Sequence, residues 1–306
     1  MIYVIGHKNP DTDSICSAIG YAAFKKALTG EDYKPARAGE LNPETEFVLS
    51  HFGLEAPELV KSAAGKDVIL VDHNEVAQAA DDINNAHILE ILDHHKIGDV
   101  QTNEPIYFRA MPVGCTATIV YLHYKENNID FEPAVAGVLC SAILSDTLAF
   151  RSPTCTDLDR EAAAAYAKAA GIEDIQAYAK EMFKAGSELA GKSPKEILYL
   201  DYKKFTAGNT TYGVGQVTSM DEDELRELAK TMNDYIHDTF SEHGVDMIFL
   251  LLTNILDESS ELVYAGKGAD EVVKKAFTSS EEGRTYLKGV VSRKKQVIPP
   301  LTDALS

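Results

Sequence analysis

Within GHKNPDTDS, residues 6–14, one imidazole and two carboxylates fall close together: His7, Asp11 and Asp13. A loop that only had to turn could use Asn, Gly and Pro instead of this density of charge. Asp72 in VDHNE, Asp93-His94-His95 in LDHHK and Asp146 in SDTLAF bring further carboxylates and imidazoles. Like charges gathered in one cleft raise each other's pKa and destabilise the fold unless cations neutralise them. Two divalent ions would balance Asp11, Asp13, Asp72 and Asp146. A mixed oxygen and imidazole set without thiolate suits Mn2+, Co2+ or Mg2+ better than a structural zinc site. His7, Asp11 and Asp13 share one irregular loop and can face two ions, with Asp72 able to bridge them. Such a pair, about 3.5–4 Å apart, generates hydroxide and clamps an in-line phosphoryl displacement. Each motif alone is weak, since DxD is an ordinary turn or helix cap. Their joint occurrence carries the argument.

The elements around these residues explain how they would meet. Ile2–Ile5 reads as a strand running straight into the His7 loop, and a helical pattern from Ile15 onward stops at Gly30. Asn42-Pro43 opens a short helix to Gly53, with Glu44 and Glu46 favourable in its first turn. Val68–Val71 and Ile88–Leu92 are short apolar runs with the character of buried parallel strands, ending at Asp72 and at Asp93. Cys115 to Tyr124 and Pro133 to Leu144 read as helices, the second stopping just before Asp146. Thr156 to Asp159 resembles a capping box. This is the grammar of an α/β layered domain with a mostly parallel sheet, in which ligands bind at the carboxyl ends of the strands. The acids and imidazoles are therefore predicted to converge on one edge.

Around 187–194 the composition turns small and polar, and beyond it the pattern restarts. Tyr212–Val217, Val245–Leu252 and Glu261–Tyr264 read as strands, while Asp221–His243 and Ala269–Phe277 hold helices. Gly289–Val291 is strand-like ahead of a basic run, Arg293-Lys294-Lys295. The expected organisation is a domain over 1–186, a linker over 187–194 and a smaller α/β domain over 195–306, with the active site in the cleft between the two.

Composition limits the partners. The 306 residues carry a formal net charge of −19, which argues against a broad phosphate-tracking surface for nucleic acid but leaves room for a small anion held by local Arg and Lys. No apolar stretch approaches the roughly 20 residues needed to span a bilayer, and MIYVIGHKNP reads as a strand, not a signal peptide. Cys16, Cys115, Cys140 and Cys155 show no close pairing and read as free thiols in a reducing cytoplasm.

The set GHKNPDTDS, VDHNE, LDHHK and SDTLAF resembles the DHH phosphoesterase superfamily, and the closing VSRKKQ resembles the second domain of the family II, manganese-dependent inorganic pyrophosphatases. The likeness runs essentially end to end, with the motifs in the family's order. It implies His7, Asp11 and Asp72 as ligands of one Mn2+ and Asp13, Asp72, His94 and Asp146 as ligands of a second, Co2+ being an alternative to Mn2+. It further implies Mg2+ arriving with the pyrophosphate, a homodimer, catalytic roles for Asp13 and His95, and His95 beside the substrate. Arg293 and Lys294 stand as the clamp of the second domain, with Lys203 in DYKKF as a third basic contact beside the adjacent Lys204. Asp93 would orient a ligand.

Two other readings remain open on the sequence. An exopolyphosphatase or an oligonucleotide phosphodiesterase of the same superfamily would use the same metal site. The oligonucleotide enzymes typically end in a glycine-rich GGGH-like motif and offer a basic or aromatic path for a strand, whereas this acidic chain has neither that motif nor any Trp. A non-catalytic metal-dependent binding protein would not need both the ligand set and the Arg-Lys pair.

Overall fold

The computed structural model describes residues 1–187, 189, 191–255, 257–277 and 283–305. The chain forms two compact units, Met1–Gly186 and Ser187–Ser306. Of the stretch 187–194 expected as a linker, residues 188 and 190 lie outside the described residues, as do 256, 278–282 and 306 of the expected second domain.

Unit 1 begins with β1 (Ile2–Ile5), α1 (Thr12–Thr29), β2 (Tyr33–Arg37), α2 (Pro43–His51), β3 (Glu58–Leu59) and β4 (Asp67–Val71). It continues through β5 (His87–Asp93), β6 (Tyr107–Ala110), α3 (Thr116–Asn127), α4 (Pro133–Asp146), α5 (Asp157–Ala170) and α6 (Ile175–Ala185). Its strands form one parallel sheet in the order β3-β2-β1-β4-β5-β6. The connections leave β1 toward β2 on one side and later enter β4 on the other. The order reverses between β1 and β4, the place where open α/β sheets hold ligands.

Register sets the level of the site. Ile5 pairs with Leu70, and Leu70 with Ile91, so the chain emerges from β1, β4 and β5 at one height. His7 therefore stands level with Asp72, and Asp93 and His94 follow beside them. β4 is buried along Val68–Val71, as a strand covered on both faces must be.

α1 is buried from Thr12 to Ala22, which is unusual for a helix on a sheet face. The reason is a second layer of helices. α4, PAVAGVLCSAILSD, is apolar all round and buried along Val135–Leu144, as a helix enclosed by others must be. A Cβ on Gly20 would stand 2.5 Å from the Leu139 side chain, so glycine lets α1 and α4 approach closely. Thr156 and Asp159 make the predicted capping box of α5. The same fully buried Asp159 carboxylate also accepts from Gly114 N at 2.9 Å and Thr118 Oγ1 at 2.6 Å, tying α5 to the start of α3.

Unit 2 holds α7 (Pro194–Leu198), β7 (Tyr202–Ala207), β8 (Thr210–Ser219), α8 (Glu222–Asp238), β9 (Met247–Asn254), β10 (Ser259–Gly266), α9 (Ala269–Ala276), β11 (Arg284–Lys288) and α10 (Ile298–Leu305). The sheet order is β11-β10-β9-β8-β7, with β8 and β9 parallel and the other pairs antiparallel. β9 is wholly buried because it serves two cores. Met247, Phe249 and Leu251 pack on one face, and Ile248, Leu250 and Leu252 on the other, as period-2 alternation demands.

One local expectation is overturned. Gly289–Val291 is not a strand: β11 ends at Lys288, Gly289 turns the chain at φ 74°, and Arg293–Val297 forms a π-helical turn leading into α10. The apolar pair Val290-Val291 reads like a strand, but Gln296 fixes it as a turn by accepting from Val291 N at 3.0 Å and donating to Gly289 O at 2.7 Å.

Candidate metal centre

The His7 loop is shaped by its own side chains. Asp11 is the N-cap of α1, its Oδ1 accepting from Ser14 N at 2.9 Å, which turns its Oδ2 toward His7 Nε2 at 3.4 Å. A Cβ on Gly6 would fall 2.0 Å from Ser14 Oγ, so only glycine lets the end of β1 lie this close to α1.

Asp13 is fully buried and caps a helix distant in sequence. Its Oδ2 accepts from Thr116 N at 2.7 Å and its Oδ1 from Ala117 N at 3.1 Å and Ser17 Oγ at 2.6 Å. Cys115, the local N-cap of α3, makes no side-chain cap bond, so the Asp13 carboxylate supplies it at the positive end of the helix.

Asp72 sits at the centre. His7 Nε2 lies 3.3 Å from its Oδ2, and His94 Nε2 lies 3.4 Å from its Oδ1. Thr116 Oγ1 donates to the same Oδ1 at 3.1 Å. The Oδ2 atom is buried with no hydrogen-bond partner among the described residues, an expensive state for a carboxylate oxygen unless a cation takes its lone pairs. The backbone of Asp72 is left-handed at φ 62°, a conformation that costs roughly 1 kcal/mol or more outside glycine and recurs at functional sites. Asp146, the last residue of α4, brings its Oδ2 to 3.7 Å from His94 Nε2.

Both histidines of LDHHK have fixed tautomers. His94 Nδ1 faces the Val113 carbonyl at 3.1 Å and must donate to it, so Nε2 is the nitrogen aimed at Asp72 and Asp146, and it offers a lone pair once its proton is lost. His95 Nδ1 donates to Asp93 Oδ1 at 2.9 Å, while its side chain is half exposed. Asp93, expected to orient a ligand, bonds to His95, whose backbone N also donates to Oδ1 at 3.0 Å.

Charge follows from this packing. Burial opposes protonation of His7, but Asp11 and Asp72 outweigh it and raise the imidazole to about 10. His94 is likewise raised to about 9 against its burial, by Asp72 and Asp13. Burial and the Asp72 charge lift Asp13 to about 7, and burial with Asp13 and Asp72 lifts Asp146 well above the carboxylate range. Burial pushes Asp72 upward as well, but the two histidines hold it well below that range. Without metal, protons on His7 and His94 do the neutralising.

The donor atoms of three groups each fall within 4.8 Å of one another: His7, Asp11 and Asp72; Asp72, His94 and His95; Asp13, Cys115 and Asp146. All six residues singled out as ligands are thus gathered, with Asp72 common to two groups. The sequence marked Cys115 only as a free thiol. Burial and the charges of Asp13 and Asp146 keep its thiol protonated in the metal-free chain. Asn74 was not singled out at all. Its amide donates to Asp93 Oδ2 and, at 3.0 Å, to Lys96 O, while its Oδ1 accepts from Gly98 N. Its place two residues after Asp72 in VDHNE was the available signal.

The basic residues lie in unit 2. Lys203 and Lys294 are exposed and make no side-chain hydrogen bond or ion pair among the described residues. Lys203 is paired with Val214 and so shares its sheet face, where Val297 and Leu301 pack. Lys204 points the other way and donates to His243 O at 2.8 Å. Arg293, in contrast, is buried: its Nη2 donates to Asp201 Oδ1 at 2.8 Å and its Nη1 to the Asp201 and Val214 carbonyls.

Comparison with known proteins completes the description. A model of the DHH family N-terminal domain matches residues 1–143, and one of the DHHA2 domain matches residues 180–304. The chain is 47% identical over 306 residues to a Clostridium acetobutylicum protein named probable manganese-dependent inorganic pyrophosphatase, covering 100% of this chain and 98% of that one. It is 45% identical to the manganese-dependent inorganic pyrophosphatase of Bacillus subtilis, covering 100% and 99%. A crystal structure of a Methanococcus jannaschii protein assigned to the family II inorganic pyrophosphatases matches with a TM-score of 0.62 at 44% identity, covering 100% of this chain and 99% of that one. With DHH and DHHA2 domains in succession and such identity along its whole length, the chain belongs to the manganese-dependent, family II inorganic pyrophosphatases.

Proposed function

We propose that this protein hydrolyses inorganic pyrophosphate to two phosphates at a centre for two divalent cations, Mn2+ in preference to Co2+, with Mg2+ entering on the substrate. The observation that carries the reading is Asp72, whose buried, unbonded Oδ2 and two facing imidazoles fit a cation better than they fit each other. His7, Asp11 and Asp72 would hold one ion, and Asp13, Asp72, His94 and Asp146 the other. When bound, the pair supplies an activated water and neutralises the charge that develops on the phosphoryl oxygens.

The remaining roles fall to the chain's own side chains. Asp93 holds the Nδ1 proton of His95, raising that imidazole above its ordinary value and leaving Nε2 to present a proton to a phosphate oxygen. Asp13, capped onto α3, keeps its carboxylate in one orientation. Lys203, Lys294 and Arg293 would bind phosphate; Lys203 is preferred over Lys204 because it shares a sheet face with the basic turn. Residues 1–186 would form the catalytic part, 187–194 a linker and 195–306 the substrate clamp. A cytoplasmic homodimer completes the proposal, the four free cysteines supporting the compartment and the net charge of −19 arguing against nucleic acid as a partner.

The test is phosphate release by chelator-stripped protein re-supplied with Mn2+, Co2+ or Mg2+, on pyrophosphate, tripolyphosphate and a short oligonucleotide. Release from pyrophosphate, fastest with Mn2+, is the expected result. Cleavage of the longer substrates without pyrophosphate turnover would move the activity to a sister phosphoesterase. In the same assay Lys294→Ala should raise KM about tenfold, the worth of one charge-assisted phosphate contact, with a smaller change in kcat. An unchanged KM would remove Lys294 from the substrate contacts.

A further inference from the structure

Glu44 opens the first turn of α2 and belongs to none of the groups above. Its Oε1 accepts two hydroxyl hydrogen bonds, from Thr12 Oγ1 at 2.6 Å and from Ser145 Oγ at 2.6 Å. Thr12 lies between Asp11 and Asp13, and Ser145 directly precedes Asp146. One carboxylate oxygen thus ties the first turn of α1 to the last turn of α4 where the acids of the two helices meet. Both acids must be ionised to hold a cation, and with donor atoms inside 4.8 Å the two charges would then repel, so a tie across the helix ends opposes their separation.

Glu44 is itself held from several sides. Asn42 caps α2 by accepting from Thr45 N at 2.7 Å, and the buried Thr45 hydroxyl lies 3.2 Å from Thr12 Oγ1. At the end of α6, a Cβ on Gly186 would fall 2.8 Å from Glu44 Cβ, so the chain closes directly over this residue. The side chain is set before any ion arrives.

We propose that Glu44 is a positioning residue of the metal centre: by accepting from Thr12 and Ser145 it fixes the separation of Asp13 and Asp146, and with it the affinity for the cation these two acids share. The inference rests on the proposed metal centre. Nothing in it requires the Glu44 charge, only an acceptor oxygen at that point.

The test is Mn2+ titration of the full chain, followed by electron paramagnetic resonance of the free ion, with no pyrophosphate present. Glu44→Ala should weaken one of the two ions by about 10–100-fold, the usual worth of an outer partner to a ligand. Glu44→Gln keeps an acceptor oxygen and should restore affinity to within about threefold. Ser145→Ala, losing one bond of the two, should fall between them. Rescue by glutamine separates bond acceptance from charge, and melting of the metal-free variants by circular dichroism reads the fold independently. Parent-like affinity in a folded Glu44→Ala would overturn the inference, as would equal damage from alanine and glutamine. Should Glu44→Ala not fold, Ser145→Ala decides, and parent-like affinity there overturns it too. A parent protein that binds no Mn2+ would instead overturn the metal centre itself.

Discussion

Asp72→Asn should lower kcat for pyrophosphate by at least ~1000-fold, well beyond the roughly 10–100-fold typical of residues that only support a ligand. Asp72 is common to two of the three donor groups, and both of its oxygens face the site. The amide keeps the shape, and Asn is among the residues that tolerate the left-handed backbone found here at φ 62°. Asp72→Ala should be equally inactive, since it too leaves no carboxylate common to the two donor groups. Steady-state phosphate release and Mn2+ stoichiometry on the two variants check this. Turnover by Asp72→Asn within tenfold of the parent would remove Asp72 from the centre.

The second large effect is on metal affinity with pH. In the metal-free chain His7 is raised to about 10, His94 to about 9 and Asp13 to about 7, so at pH 7 both imidazoles hold protons that an incoming ion must expel. Where one proton leaves per ion, the apparent dissociation constant for Mn2+ falls about tenfold per pH unit, or ~100-fold per ion from pH 6 to 8. Below pH 7 the added proton on Asp13 steepens the dependence. Stability of the metal-free protein runs the opposite way. His7 and His94 have folded values above their ordinary 6.5, so their contribution is full below about 6.5 and is lost as pH rises through 9 and 10. Mn2+ titrations across this range, with proton release followed in weak buffer, measure both arms. An affinity independent of pH would mean that His7 and His94 are neutral without metal.

The site was legible in the sequence because its residues sit in short motifs directly after strands. Ile2–Ile5, Val68–Val71 and Ile88–Leu92 announce themselves as short apolar runs, interrupted only at Glu90, and they lead directly, or through Gly6, into Asp72, Asp93 and His7. Elements with weaker local signals escaped. β2, YKPAR, carries a proline and alternates poorly, and β3 is only Glu58–Leu59; both exist because a formed neighbour offers its edge. β6 is largely exposed and follows a polar loop, so no hydrophobic pattern marks it. Arg293 illustrates a deeper limit. Its neighbours in VSRKKQ suggest a free basic run, yet its partner Asp201 lies 92 residues away, and no local pattern reveals that the guanidinium is buried. Glu44 is similar: its role depends on two hydroxyls, 32 and 101 residues distant.

Every donor from His7 to Asp146 is carried by unit 1. The ribosome therefore completes the donor set with about 160 of the 306 residues still to be joined, roughly ten to thirty seconds of synthesis at about 5–20 residues per second. Competition among cations can start on the nascent chain, before the basic run Arg293-Lys294-Lys295 has been made. Imidazole and carboxylate donors follow the general rise in affinity from Mn2+ toward Cu2+, so their own preference does not favour manganese. Free-metal levels during translation would then bear on which ion the finished protein carries. Expression in manganese-poor and manganese-rich medium becomes a biosynthetic variable as much as a choice of assay buffer.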